Sequence, residues 1–111
     1  MTINKLKVID VGHSNYSLEK AMLYLETEIS KSIFNGKYKA LKIITGHGSG
    51  SLKKAVKEWC EGQEGRFQAV ISGEDYNMFN KNASDMRFDC GIKNDLDFGR
   101  NNTGVFFIWF W

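Results

Sequence analysis

The first apolar run, Leu6-Lys7-Val8-Ile9-Asp10-Val11, is rich in β-branched residues and stops at Gly12, which predicts a strand over residues 6–11. Ser17 then stands where a helix N-cap belongs. Leu18, Ala21, Met22, Leu25, Ile29 and Ile33 follow at spacings of three and four, the signature of a helix with one apolar face. Glu19 complements the positive end of its dipole, and Asn35-Gly36 supplies a left-handed stop. Lys39–Thr45 reads as a second strand. Leu52, Ala55, Val56, Trp59 and Cys60 mark a second amphipathic helix ended by Gly62, and Arg66–Ser72 reads as a third strand. Strand–helix–strand–helix–strand predicts parallel neighbours joined by right-handed crossovers. The closing run Val105–Trp111 (VFFIWFW) predicts a strand covered on both faces, because an exposed edge of that composition would invite aggregation.

Residues 73–104 break this pattern. They hold six Asn, five Asp and four Gly without a sustained period, and Met86–Cys90 (MRFDC) is their best candidate for a short extra strand. A structureless loop of that length is unusual in a small domain, so a missing element is suspected there. The expected architecture is therefore α/β: one domain over residues 1–111, a four-stranded mixed sheet with two helices, the last strand antiparallel to a neighbour, and an Asn/Asp-rich insert at about 73–104.

Composition narrows the class. The 111 residues suit one core, and a chain 42% hydrophobic and 25% charged has the ordinary soluble profile, which argues against disorder. No apolar run approaches the ~20 residues of a membrane helix. MTINKLKVID has no apolar stretch after its lysines, so no signal peptide and no membrane partner are expected. Cys60 and Cys90 are too few for a zinc cluster and make a weak case for a disulfide, leaving a reducing cytoplasm as the expected setting. Residues 1–57 carry ten Lys and four acids (+6), whereas residues 58–111 carry five basic residues and nine acids (−4). That polarity favours an anionic partner for the first half, although a lysine-rich solvated surface has the same composition.

The most informative stretch is Thr45-Gly46-His47-Gly48-Ser49-Gly50-Ser51, between the second strand and second helix. Alternating glycines let backbone amides converge, and the helix start adds its dipole, a geometry that suits phosphate. Lys53 and Lys54 in the first helical turn oppose that dipole, a placement explained by an anion lying between them and the backbone. The plain alternative is a tight turn without a ligand. Neither GxGxxG nor the P-loop pattern is matched, and Asp95-x-Asp97 lacks the glycine and terminal Glu of a calcium loop. The two histidines, His13 and His47, each adjoin glycine at a strand end, with Asp10 just before the first. If the first two strands are neighbours, Asp10, His13 and His47 share one rim, where open α/β sheets build sites. A His pair with a carboxylate beside a phosphate cradle suits proton transfer on a phosphodiester. Otherwise both histidines are solvated loop residues and Asp10 caps a turn.

Ile9-Asp10-Val11-Gly12-His13, Thr45-Gly46-His47-Gly48 and the helix opening Ser49-Gly50-Ser51-Leu52-Lys53-Lys54-Ala55-Val56 together resemble the Smr (small MutS-related) domain. Its first motif usually reads LDLHG and its second HGxG or TGxG; Thr103-Gly104-Val105-Phe106 is similar to its last strand. The resemblance covers residues 6–72 and about 103–110. It implies a βαβαββ two-layer sandwich like the C-terminal domain of bacterial translation initiation factor three. It also implies nucleic-acid binding, with RNA cleavage or DNA nicking in several members. Asp10 carries over directly, and His47 falls where Arg or Lys is usual. The Gly and His of the first motif are swapped, the link to the first helix is longer, and the insert replaces a shorter basic loop.

The leading expectation is thus an Smr-like domain binding RNA or DNA, with endonuclease potential. Asp10, His13 and His47 are its candidate catalytic residues, and Thr45, Gly46, Gly48, Ser49, Gly50, Lys53 and Lys54 its candidate phosphate contacts. No cofactor or metal ligand set is implied, and Mg²⁺ assistance stays open. The alternative is a non-catalytic module gripping phosphate on nucleic acid, a nucleotide or a ribosome. A third reading is a protein-interaction domain docking through the aromatic C-terminus or the acidic insert.

Overall fold

The computed structural model describes residues 4–13, 15–46, 50–63 and 65–111. The strands are β1 (Leu6–Asp10), β2 (Ala40–Ile44), β3 (Ala69–Ser72) and β4 (Val105–Trp109). The helices are α1 (Leu18–Asn35), α2 (Ser51–Glu61) and α3 (Lys81–Cys90), with a 3₁₀ turn at Gly73–Asp75. The α/β class and the mixed four-stranded sheet are those expected. The third helix is additional, and it replaces the strand expected at Met86–Cys90.

Local signals account for the helix ends. Ser17 Oγ accepts the Lys20 N–H at 3.2 Å, and Gly36 closes α1 at φ 69°. The face that α1 buries is Ala21, Leu25, Ile29 and Ser32, with Leu18 and Ile33 left exposed beside it. In α3, Asn80 caps the Ala83 N–H at 3.2 Å, Gly91 ends the helix at φ 73°, and Ala83, Met86 and Cys90 form the buried stripe.

The sheet order is β1-β2-β4-β3, with β1 and β2 parallel and β4 antiparallel to both its neighbours. β2 and β3 are therefore not adjacent, as a simple run of parallel crossovers would have them; β4 lies between. All five of its residues are buried, as its unbroken apolarity predicts. That central position also removes it as a docking strand.

Alternation along β4 divides the core. Phe106 and Ile108 face α1 and α2 with Leu25, Ile29, Leu41, Ile43 and Val56. Val105, Phe107 and Trp109 face the other way, toward Ile71, Tyr76, Met86 and Cys90. Helices thus cover both faces of the sheet, where two helices in a two-layer arrangement were expected. The insert completes the second face around a buried cation. Lys42 Nζ lies 2.9 Å from Asp95 and is also paired with Asp97. Tyr76 donates its hydroxyl to Asp95 at 3.0 Å, and Asn102 Nδ2 donates to Asp97 at 2.7 Å. Burial disfavours charge on Lys42, yet the two carboxylates outweigh it and raise the pKa of the ammonium. Burial likewise works against Asp97, but Asn102 and Lys42 hold its carboxyl below the usual range. Asp95 and Asp97 are thus neutralised inside the fold, which removes these two acids of the insert from any docking surface.

Candidate functional site

Parallel pairing of β1 with β2 sets Asp10 opposite Ile44 and brings both strand ends to one rim. Beyond the sheet, the two motif turns are joined backbone to backbone. The N–H groups of Val11 and Gly12 donate to the Ile44 carbonyl at 2.9 and 3.0 Å. A Cβ on Gly12 would overlap the Thr45 carbonyl and lie 2.9 Å from the Gly46 nitrogen, so only glycine fits there. Gly104, just before β4, fixes the second turn: its carbonyl accepts the N–H groups of Thr45 (2.8 Å) and Gly46 (3.1 Å) and the Thr45 hydroxyl (3.2 Å).

Asp10 organises the first turn. One carboxylate oxygen accepts the N–H groups of Gly12 and His13, each at 3.0 Å, and the other lies 2.7 Å from His13 Nδ1. Slight burial pushes the Asp10 pKa upward, but the His13 bonds and the Gly12 amide outweigh it and hold the carboxyl below its ordinary value. Asp10 is therefore ionised at neutral pH. A carboxylate on Nδ1 favours the tautomer that carries its proton there, leaving Nε2 as the basic nitrogen.

Gly46 (φ 75°) and Gly50 (φ 82°) both adopt left-handed backbone. Gly50 is the N-cap of α2 and, as a glycine, brings no side chain of its own to cap that helix start. A cleft of about 510 Å³ opens between the two turns and the starts of α1 and α2. It gathers His13, Thr45, Gly46, Gly50 and Lys53 from the expected site, with Asp10 behind His13. Lys54 is exposed on α2 and does not line the cleft. His47, Gly48 and Ser49 lie outside the described residues.

Lys53 is not a bare cation. Its Nζ lies 2.6 Å from Glu74 in the 3₁₀ turn after β3. Burial pushes the Glu74 carboxyl upward, but that bond and the nearby lysines hold it below its usual range. The reading from sequence also missed Gly12 as the contact between the turns, Gly104 as their anchor, and an apolar wall that includes Tyr16, Leu18 and Leu52. Asp-x-Gly at the end of a strand was the local signal for the first of these. The other contacts cross the chain and leave no local mark.

Among the described residues, no cluster of three or more His, Cys, Asp or Glu could hold a metal ion, and no helix is long and apolar enough to cross a membrane.

No curated protein matches the chain. Among solved structures it resembles the Smr domain of Thermus thermophilus MutS2, with a TM-score of 0.60 and 16% identity over 93% of this chain and 95% of that one. At that identity the likeness is one of fold. The Smr domain family model matches residues 13–76, more than half the chain, from His13 at the end of the first turn through α1, β2, the second turn and α2 to the residue after the 3₁₀ turn. The chain belongs to the Smr domain family.

Proposed function

We propose that this domain binds nucleic acid by seating a backbone phosphate on the Thr45–Gly50 turn, and that the Asp10–His13 pair acts on the phosphodiester held there. The observation that carries this reading is the Asp10–His13 pair, 2.7 Å apart, at the rim of the same cleft as Gly46, the start of α2 and Lys53. A left-handed glycine turn feeding a helix start offers N–H groups and a positive dipole end to an anion. Lys53 adds charge, and Lys54 a second cation one residue on, for backbone further along the strand.

On RNA, His13 Nε2 takes the proton of the 2′-hydroxyl and O2′ attacks phosphorus. The bond to the 5′-oxygen breaks, leaving a cyclic phosphate, and His47 is assigned the proton to the departing oxygen. Asp10, 2.7 Å from Nδ1, holds the imidazole in register. Gly48 and Ser49 belong to the same proposed cradle. The cradle positions a backbone and reads no bases. A ribosome, as an RNA-rich partner, is one source of such a backbone.

The test is cleavage of labelled single-stranded RNA and supercoiled DNA, in EDTA and in Mg²⁺, by wild type, Asp10→Asn, His13→Ala and His47→Ala. General acid–base groups contribute about 10²–10⁴-fold, so each variant is expected to lose at least a hundred-fold in rate. Cleavage unchanged in Asp10→Asn and His13→Ala refutes the pair as the machinery. Retarded migration without cleavage by wild type leaves a phosphate-binding module without turnover.

A further inference from the structure

The cleft is larger than a phosphate requires, and half of it is of the wrong character for one. About 510 Å³ is the size of a site for an organic ligand, not an inorganic ion. Its polar lining includes His13, Thr45, Gly46, Gly50 and Lys53, and its apolar lining is Val11, Tyr16, Leu18, Ala21 and Leu52. Tyr16 and Leu18 are among the large apolar side chains left exposed on the molecule, and both border this cleft.

Tyr16 is held in place. Lys20 Nζ stands 4.6 Å from its ring centroid, and Tyr24 packs against it edge-on at 6.0 Å. Those two contacts come from α1, and Tyr16 itself is part of the cleft lining. An aromatic ring lining the same cleft as Gly46 and Gly50 is matched by a ligand with a flat apolar face a few bonds from a phosphate.

We infer that the cleft takes a whole nucleotide unit, with an unpaired base against Tyr16 and Leu18, so that the preferred substrate is single-stranded. The inference rests on the phosphate reading of the Thr45–Gly50 turn and adds the strandedness of the substrate. In a duplex the base is paired and stacked inside the helix and cannot reach Tyr16 unless it is flipped out. In a single strand every base has an open face, and stacking on an aromatic ring tolerates any sequence. Tyr16 is a binding residue in this scheme, and it selects strandedness, not sequence.

Fluorescence anisotropy at one fixed salt concentration tests it, with three 12-nucleotide probes: a single strand, its duplex, and the same strand made abasic. Wild type is expected to bind the single strand most tightly. Tyr16→Ala should weaken that probe about ten-fold or more, the loss of one base–aromatic stack. It should leave the duplex and abasic probes unchanged. Tyr16→Phe should bind as wild type, which separates loss of the ring from loss of the hydroxyl, and circular dichroism establishes that both variants are folded. Equal weakening of all three probes by Tyr16→Ala, or no weakening of any, overturns the stacking inference while the phosphate reading survives. Failure of wild type to bind any probe overturns both.

Discussion

Replacing Lys42 by Met tests whether the insert is held by a buried cation or merely decorated by one. The Lys42 side chain is 11% exposed, and its partners Asp95 and Asp97 are 7% and 21% exposed. Met keeps the aliphatic bulk over Phe107, whose ring centroid lies 5.6 Å from the ammonium. What is lost is the charge, so two carboxylates face each other in a poorly hydrated site. Removing one partner of a buried pair costs ~3–5 kcal/mol. Tyr76 and Asn102 still donate to Asp95 and Asp97, and Asp97 has some access to water, so the lower end, ~3 kcal/mol, is expected. For a domain of this size that lowers Tm by roughly 12 °C. Urea unfolding at pH 7 measures the loss. Repeating it toward pH 4 adds a sharper test, because protonation relieves the stranded carboxylates and the gap between variant and wild type should narrow. A loss under about 1 kcal/mol that does not change with pH is the behaviour of an exposed pair, and it would refute the buried-cation account.

Gly12→Ala drives a methyl into the Thr45–Gly46 backbone and should cost ~1–3 kcal/mol in urea unfolding while weakening nucleic-acid binding; a neutral effect on both would mean the turns part freely. Glu74→Gln releases Lys53 from its carboxylate, so affinity for a labelled strand should rise several-fold and the slope of log K against log salt should steepen by ~0.7–0.9. An unchanged slope would place Lys53 outside the binding surface. Stability should also fall at both ends of the pH range. Asp10 and Asp97 titrate below 3.8 in the folded state, so their contribution is present above the unfolded value and is lost as pH falls through the folded one. Lys42 titrates above 10.5, so its contribution is complete below that and disappears as pH rises through the folded value. Denaturation at a series of pH values should show a plateau between roughly 5 and 10 from these groups, and a steady slope across it would contradict the assignments.

What could be read from sequence was what is encoded locally. In α1 the Ser17 cap, the spaced apolar residues and the Gly36 stop agree, so its limits follow from neighbouring residues alone. Asp10 and His13 are three residues apart, and their contact is equally local. In α3 the local evidence conflicts. Its buried stripe is only Ala83, Met86 and Cys90, while Phe88 points outward at 90% exposure, so MRFDC presents the alternation of a strand. The Asn80 cap and Gly91 stop were the better signals, because they depend on backbone geometry and not on which residues are apolar. Strand order left no local mark. Nothing in β2 or β3 says that the last strand enters between them, and it is this insertion that makes Gly104 a neighbour of Thr45. Lys42 in KALKIIT looks like a break in a strand until Asp95, 53 residues on, closes over it.

The charge asymmetry of the sequence is therefore a poor map of the surface, and the reason links the two faces of the sheet. Asp95 and Asp97 neutralise Lys42, Glu74 pairs with Lys53, and Asp89 accepts the Trp109 indole at 2.9 Å. Acids counted as repelling a polyanion are in large part internal partners. The same network reaches the site. Lys42 holds Asp97, Asp97 accepts Asn102 Nδ2, and Asn102 Oδ1 accepts the Gly104 N–H at 2.9 Å. The Gly104 carbonyl then takes the Thr45 and Gly46 amides. A continuous chain of polar contacts thus runs from a buried lysine on one face of the sheet to the turn that feeds α2. Orienting that turn requires its carbonyl acceptor to be fixed, and a carbonyl on a free loop would not be. The Asn/Asp-rich insert, which composition alone would mark as a liability beside a phosphate site, is on this reading the strut that holds the site's backbone in position.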